Sequence, residues 1–447
     1  MQSYADMHSP AQTMPEASPL CKSPARSAWR RCVACATAAL LMMWQPGQAQ
    51  PARPPTATYS LRAAINDALT RNPALAISQA ERAAAGHLRE GAEWGRYPTV
   101  SAEVAPGTQG GTQTFRVEQP LWSGGRISGQ IDASRAQESA AALAEIETRR
   151  QLTEQTSVAY LGWLGAHSRL QLAVDGGAVF ERLLAHVRRR EAAGAAAASD
   201  VSVAVARLAV AAAQREQLAA ELDRSAAELQ ALVVGELGAP VLLKDPVFAG
   251  TDREATEVAY LAQSNTVARR QAELQAAQAA TVVSKGQALP TLALRVERVQ
   301  YTGNSLPGQS SQTRALLALS FAPGAGLSSL SAANAAASRE RAVADQVRAE
   351  QISVQLRARS QWSEHQGAQR QLAELRPQID ALQLTADSYM RQFEAGRRTW
   401  IEVLNIHREA LDARISTSRT QTQLAQSALR LLANTQGLAP WIDTTPQ

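Results

Sequence analysis

Read for period, the chain beyond residue 59 changes rhythm twice in the same order. Leu61, Ile65, Leu69, Leu75 and Ile77 recur at helical spacing, and Asn72-Pro73 inside the stretch predicts a break or a fresh helix start. From Val100 the period drops to two. Val100, Ala102 and Val104 alternate with Ser101, Glu103 and Ala105, and after a Gly-rich turn Phe115, Val117 and Gln119 alternate with Arg116 and Glu118. This predicts a hairpin with one apolar and one polar face. Residues 126–191 contain no Pro and read as one long helix. Ala193-Gly194 and then Ser199-Asp200 mark its stop and a new cap. A shorter helix over 201–234 ends at Gly235, Gly238 and Pro240. The order then recurs, with helix over 254–285, strands at 292–296 and 317–321, a long helix over 328–393 and a shorter one over 400–432. Pro377 predicts a kink or break in the long helix, and Gly437-Leu438-Ala439-Pro440 a stop.

The recurrence is also one of residues. Leu170, Arg189, Gly194, Val201, Leu229 and Gly235 meet Leu372, Arg391, Gly396, Val403, Leu431 and Gly437, each 202 positions later. Upstream the offset is 192, where Tyr97-Pro98-Thr99 meets Leu289-Pro290-Thr291, so the second copy carries extra residues between Pro290 and about Phe321. The chain divides into a leader over 1–49, a first repeat over 50–240, a connector over 241–252, a second repeat over 253–440 and a tail over 441–447. Each repeat has two short helices, one long helix and a two-stranded hairpin.

Lengths constrain the architecture. A helix of about 66 residues spans roughly 100 Å, and the two shorter helices of a copy, stacked end to end, run alongside it. Aromatic residues are 4% of the chain and Ala dominates the apolar positions, which argues against a compact core of large side chains. Partner copies must supply the missing faces, so the chain is expected to oligomerise. No stretch after the leader reaches 18 consecutive apolar residues. Four short strands fit two readings: three chains contributing to one membrane barrel, or water-exposed hairpins capping a helical rod.

The amino terminus has another character. Arg30-Arg31, an apolar run from Cys32 to Trp44 and the stop at Gln48-Ala49 predict a signal peptide cut after Ala49. All three cysteines, Cys21, Cys32 and Cys35, lie within it, which excludes disulfides and thiolate chemistry from the mature chain. The net charge of +5 is small and its arginines are interleaved with acids, so nucleic acid is not an expected partner. The histidines at 87, 167, 186, 365 and 407 lack metal spacing and read as helix-surface residues; no catalytic, cofactor-binding or metal site is expected.

Two motifs carry a family resemblance. Gln119-Pro120-Leu121-Trp122-Ser123-Gly124-Gly125-Arg126 resembles the strand-to-helix signature of TolC-like outer-membrane channel proteins. Phe393-Glu394-Ala395-Gly396-Arg397-Arg398-Thr399 with Glu402-Val403-Leu404-Asn405 resembles their carboxyl-terminal signature. The resemblance covers about residues 59–440. It implies a mainly α fold with a β-barrel portion: a homotrimer whose twelve strands form an outer-membrane barrel above a periplasmic α-helical tunnel. It implies a passive exit duct in the cell outer membrane, its helical part reaching into the periplasm. Its partners would be outer-membrane lipid, a periplasmic adaptor (membrane fusion) protein and an inner-membrane ABC or proton-driven transporter. Phe321-Ala322-Pro323-Gly324-Ala325-Gly326 departs from the first-copy form and looks like the variant of type I secretion partners that export large adhesins. Multidrug or metal efflux is the alternative, and a soluble periplasmic coiled-coil adaptor or scaffold is the rival from another class.

The resemblance also assigns residues. Glu402 matches an acidic pore ring, and Asn405 a second ring position where an acid is usual. Arg398 and Thr399 match a periplasmic latch with Ser199 and Asp200 as its opposing partners, and Phe393 replaces a hydroxylated aromatic there. Helix capping by Ser199, Asp200, Thr399 and Glu402 would explain these residue types unaided. Pro120, Gly124, Gly125, Pro323, Gly324 and Gly326 are expected at strand-to-helix turns, where Gly tolerates a positive φ.

Overall fold

The computed structural model describes residues 58–106, 111–250, 252–302, 311–322 and 324–444. The leader over 1–49 and Pro323 lie outside the described residues. Strand β1 (Thr58–Tyr59) precedes α1 (Leu61–Arg71) and α2 (Pro73–Trp94). Asn72 bridges the two helices: its backbone N–H closes α1 on Ala68 and its side chain accepts from Ala74 N–H. The predicted break is thus a stop and a cap in one residue, with Pro at the first helical position.

Strands β2 (Thr99–Ala105) and β3 (Gly111–Trp122) lead into α3 (Arg126–Ala192), α4 (Ala198–Val233) and β4 (Ala239–Pro240). The second copy runs through α5 (Arg253–Ala262), α6 (Asn265–Gln287), β5 (Thr291–Thr302) and β6 (Gln312–Ser320). A 3-10 turn at Ala325–Leu327 then precedes α7 (Ser328–Glu394), α8 (Trp400–Thr435) and α9 (Ala439–Thr444).

Three expectations are corrected. The single helix over 254–285 is two helices, because Ser264 opens α6 by accepting from Val267 N–H at 3.3 Å; no Pro or Gly marks this break. Pro377 does not interrupt α7, which runs 67 residues around it. Pro377 is exposed, where the carbonyl it leaves without a partner can turn to water. His365 is buried rather than on the helix surface. Its Nδ1 lies 3.2 Å from Ser427 Oγ and its ring meets Phe248 edge-on at 5.9 Å. Burial lowers its pKa by penalising the charged ring.

Helix α3 is the hub, packing against α2, α4, α6 and α8, while α7 packs on α6 and α8. Gly176 permits the close approach of α3 and α8, since a Cβ there would lie 2.6 Å from the Leu411 side chain. One apolar cluster, including Phe180, Val187, Phe393, Trp400, Val403 and Leu404, sits beneath the α3–α4 and α7–α8 turns. A second joins Tyr59, Leu61, Tyr160, Leu229 and Val233. There Tyr160 donates to the Tyr59 carbonyl at 2.7 Å and accepts from Val241 N–H at 2.9 Å, tying β1 and the connector to α3. The tail expected over 441–447 begins in α9, whose Trp441 and Ile442 pack on the cores because their apolar surface is worth burying.

The two predicted hairpins are one antiparallel sheet in the order β2-β3-β5-β6. The β3–β5 pairing, from Gly111 opposite Thr302 to Trp122 opposite Leu292, joins the two copies.

Candidate pore lining: the sheet face and the helical turns

Because strand side chains alternate, the register sorts the sheet into two faces. On one, Val100, Val117, Val296 and Ala315 stand in a row, flanked by Gln119, Leu294 and Leu317 and then by Trp122, Leu292 and Leu319. These side chains are open to solvent in the single chain; Val100 is 74% and Leu319 70% exposed. On the other face Ser101, Arg116, Glu297 and Arg314 form a row, beside Thr99, Glu118, Arg295 and Leu316. Glu297 takes both Arg314 at 3.4 Å and Arg116 at 3.9 Å, and Arg295 pairs with Glu118 at 2.8 Å. An apolar face and a charge-laddered face on one thin sheet suit lipid on one side and water on the other.

Of the residues expected at the strand-to-helix turns, Gly124, Gly125, Gly324 and Gly326 lie there, whereas Pro120 falls within β3. Pro120 faces Ala293 just before a register shift, and its missing N–H fits the irregularity. Gly124 (φ +60) and Gly125 (φ +86) both adopt the left-handed region, and a Cβ on Gly124 would meet Leu289 Cβ at 2.9 Å. In the second copy Gly324 (φ +80) and Gly326 (φ +58) do the same, and Leu327 follows at φ +61.

At the helical turns the capping geometry is explicit. Asp200 Oδ2 accepts from Ala197 N–H at 3.4 Å at the start of α4. Glu402 Oε2 accepts from Thr399 N–H at 2.9 Å and from its hydroxyl at 2.8 Å, and Arg398 donates to Glu402 Oε1 at 2.5 Å. The Thr399 N–H and hydroxyl, followed by Arg398, pull the Glu402 pKa down to about 2. Arg398 also donates to Gln392 and lies 4.2 Å over the Tyr389 ring. Ser199 is exposed in the first turn of α4. Phe393 is buried, with Trp400 at 4.9 Å and the Arg190 guanidinium at 4.7 Å over its ring. Within one chain the two acids therefore act as caps, and Arg398 is bonded to its own turn rather than to Asp200.

Asn405 leads to a feature that motif reading missed. It accepts from Arg207 Nη2 at 3.1 Å; one heptad further, Gln214 donates to Asp412 at 3.2 Å; a third heptad brings Arg419 to Glu221 at 3.7 Å. Each bond spans the same 198 positions. Parallel helices α4 and α8 thus run in constant register, joined by polar rungs every second turn. The upper rung is anchored, since buried Arg169 of α3 donates to Glu221 at 2.8 Å and to Thr422 at 3.3 Å. Beside this seam, α3, α7 and α8 enclose a groove of about 690 Å³ lined by Phe180, His186, Asp387, Met390, His407 and Leu411. Heptad spacing of polar residues in α4 and α8 is the sequence signal for the seam. It is hidden because the bonded offset of 198 is one helical turn short of the repeat offset.

Residues 64–234 match the family model described as outer membrane efflux protein. No curated protein matches the chain by sequence. Among solved structures, the outer-membrane channel OprN is similar at 19% identity and TM-score 0.73, with 84% of this chain and 90% of that chain covered. CusC is similar at 16% identity and TM-score 0.74, covering 87% and 95%. The outer membrane protein VceC from Vibrio cholerae is similar at 15% identity and TM-score 0.73, covering 84% and 96%. At such identities the structural likeness is one of fold.

Proposed function

We propose that this TolC-like protein of the cell outer membrane is the passive exit duct of a tripartite export machine. Three copies of the four-stranded sheet close one barrel, and the paired helices continue it as a tunnel into the periplasm. A periplasmic adaptor and an inner-membrane transporter deliver cargo to the turns at Gly194 and Gly396. The observation that carries this reading is the sorting of the sheet, with Val117, Val296 and Leu317 on one face and the Arg116–Glu297–Arg314 ladder on the other. A water-exposed cap on a rod gains nothing from seven or more bare apolar side chains on one face.

The cargo reading is type I protein secretion of a large adhesin, supported by the second-copy turn at Phe321–Gly326, which differs from Gln119–Gly125. The second reading is multidrug or metal efflux, favoured by the efflux description of the family model matching residues 64–234. Ser199, Asp200, Arg398, Thr399 and Glu402 form the periplasmic gate on either reading, with Asp200 and Arg398 at the lowest step of the α4–α8 seam, each bonded within its own turn in the single chain.

Fractionation and planar-bilayer recording test the duct. The mature protein should sit in the outer-membrane fraction as a trimer and form ion-conducting pores. A soluble, monomeric, non-conducting protein would sink the reading. Deletion of the gene for this protein, followed by assay of secreted protein and of drug and metal tolerance, separates the two cargo classes.

A further inference from the structure

The sheet has seven charged side chains in its strands, and the register places six of them (Glu103, Arg116, Glu118, Arg295, Glu297 and Arg314) on the polar face. Arg298 is the exception. It stands on the apolar face in the row Ala102–Phe115–Arg298–Thr313, and among the described residues no carboxylate lies within ion-pair distance of it. The side chain is exposed. Gln300, two residues on and therefore on the same face, holds it: in its better-bonded orientation the amide oxygen accepts from Arg298 Nη2 at 3.0 Å and Nε at 3.2 Å. That leaves a guanidinium oriented through Nη2 and Nε and with no carboxylate partner among the described residues.

Its height on the sheet is equally specific. Toward the helices the face is apolar through Val117–Val296, Leu294–Leu317 and Leu292–Leu319. Toward the hairpin ends β5 and β6 turn polar, with Gln113 opposite Gln300 and Thr313 opposite Arg298, while Phe115 and Val104 carry apolar surface further on β3 and β2. Arg298 therefore marks the edge of the apolar band on β5, on the side away from the helices. An arginine amid hydrocarbon is expensive, whereas one at the band edge can lie at headgroup level. β5 is flanked by β3 and β6 of the same chain, so this environment is complete without a partner copy.

We propose that Arg298, oriented by Gln300, binds the phosphate of a glycolipid in the outer leaflet of the outer membrane. The assignment rests on the duct reading, which turns the hairpin ends outward. The guanidinium fork matches phosphate oxygens and stays charged at any physiological pH, and among the described residues it has no counter-ion to compete. The lipid's acyl chains would lie along Val117, Val296 and Leu317 below.

The test uses the full-length trimer in phosphatidylcholine nanodiscs doped with bis-phosphorylated lipid A, with bound lipid counted by native mass spectrometry. Parent protein should retain lipid A, R298Q should retain about fivefold less or lower, as loss of one charge-assisted contact predicts, and R298K, which keeps the charge but lacks the fork, should fall between them. Dephosphorylated lipid A should bind no better to the parent than to R298Q, and millimolar inorganic phosphate should not displace lipid A. Equal retention by R298Q overturns the proposal, as does equal binding of the dephosphorylated lipid. Displacement by inorganic phosphate overturns it in favour of a soluble-phosphate site. Conductance in pure phosphatidylcholine bilayers should be the same for parent and R298Q; its absence in both would sink the duct reading instead.

Discussion

Asp200 and Arg398 stand one heptad below the Arg207–Asn405 bond on the α4–α8 seam, yet each is bonded within its own turn, Asp200 to Ala197 and Arg398 to Gln392 and Glu402. Three rungs of the seam are closed in the single chain and the lowest is not. Separating α4 from α8 must break the closed rungs, whereas Arg398 is held in its own turn by Gln392 and Glu402.

The seam should therefore govern pore width. Exposed polar pairs contribute about 0–1 kcal/mol each, so one substitution will do little. Combined Arg207→Ala, Asp412→Ala and Arg419→Ala, which spares the Arg169–Glu221 anchor, should raise single-channel conductance. Gln214→Arg, which places a cation against Asp412, should lower it. Replacing both Asp200 and Arg398 by Ser should also raise it. If all three variants conduct as the parent does, the rungs serve packing alone.

Glu402 should set ion selectivity in a way that acid does not erase. Its folded pKa, about 2, lies below the ordinary carboxylate value of 4.5. The stabilising bonds from Thr399 and Arg398 are thus fully present above 4.5 and are lost only as pH falls toward 2. Reversal potentials should show the Glu402 contribution unchanged between neutral pH and about pH 5. Glu402→Ala removes the carboxylate and frees Arg398, so cation preference and block by multivalent cations should both fall. A selectivity identical to the parent would leave Glu402 as a helix cap only.

On the apolar sheet face, Val117→Arg or Leu319→Arg should each destabilise the barrel by about 2–4 kcal/mol if near mid-membrane. Heat-modifiability on gels and urea titration in liposomes report this directly. Normal assembly of both variants would mean that this face does not meet lipid.

Removing Glu221 should cost more than removing its exposed partner Arg419. Arg169 is only 5% exposed, and without Glu221 its charge is buried with no carboxylate. Glu221→Leu should lower stability by about 3 kcal/mol, against about 0–1 for Arg419→Ala, measured by chemical denaturation of the trimer.

His365 should make the α7–α8 junction acid-sensitive. Its folded pKa is depressed by burial below the ordinary 6.5, so its contribution is complete above 6.5 and declines as pH falls below it. His365→Gln should flatten the stability profile between about pH 6.5 and 5, read by thermal unfolding across that range. An unchanged profile would place the acid sensitivity elsewhere.

The helices, strands and their duplication were legible because each follows from local signals: a helical spacing from Leu61 to Ile77, a run without Pro over 126–191, and a period of two around Val117 and Leu319. The capping residues Asp200 and Glu402 were legible for the same reason, since a cap acts within three residues of itself. Ser264 escaped notice because a Ser cap inside a helical rhythm leaves no break in the apolar pattern. Glu297 and Arg207 were invisible as site residues, since their partners are distant in the chain.

The sequence by itself determined which segments are helix and which are strand, that the unit is doubled, and that each strand has an apolar and a polar side. Those properties depend on neighbours a few residues away. Only the tertiary structure decided that the two hairpins join through β3 and β5, that Arg298 alone carries charge on the apolar face, and that α4 meets α8 one turn out of step with the repeat. Each of these depends on register between segments about 200 residues apart. Register is set by how whole faces pack, and no local spacing records it.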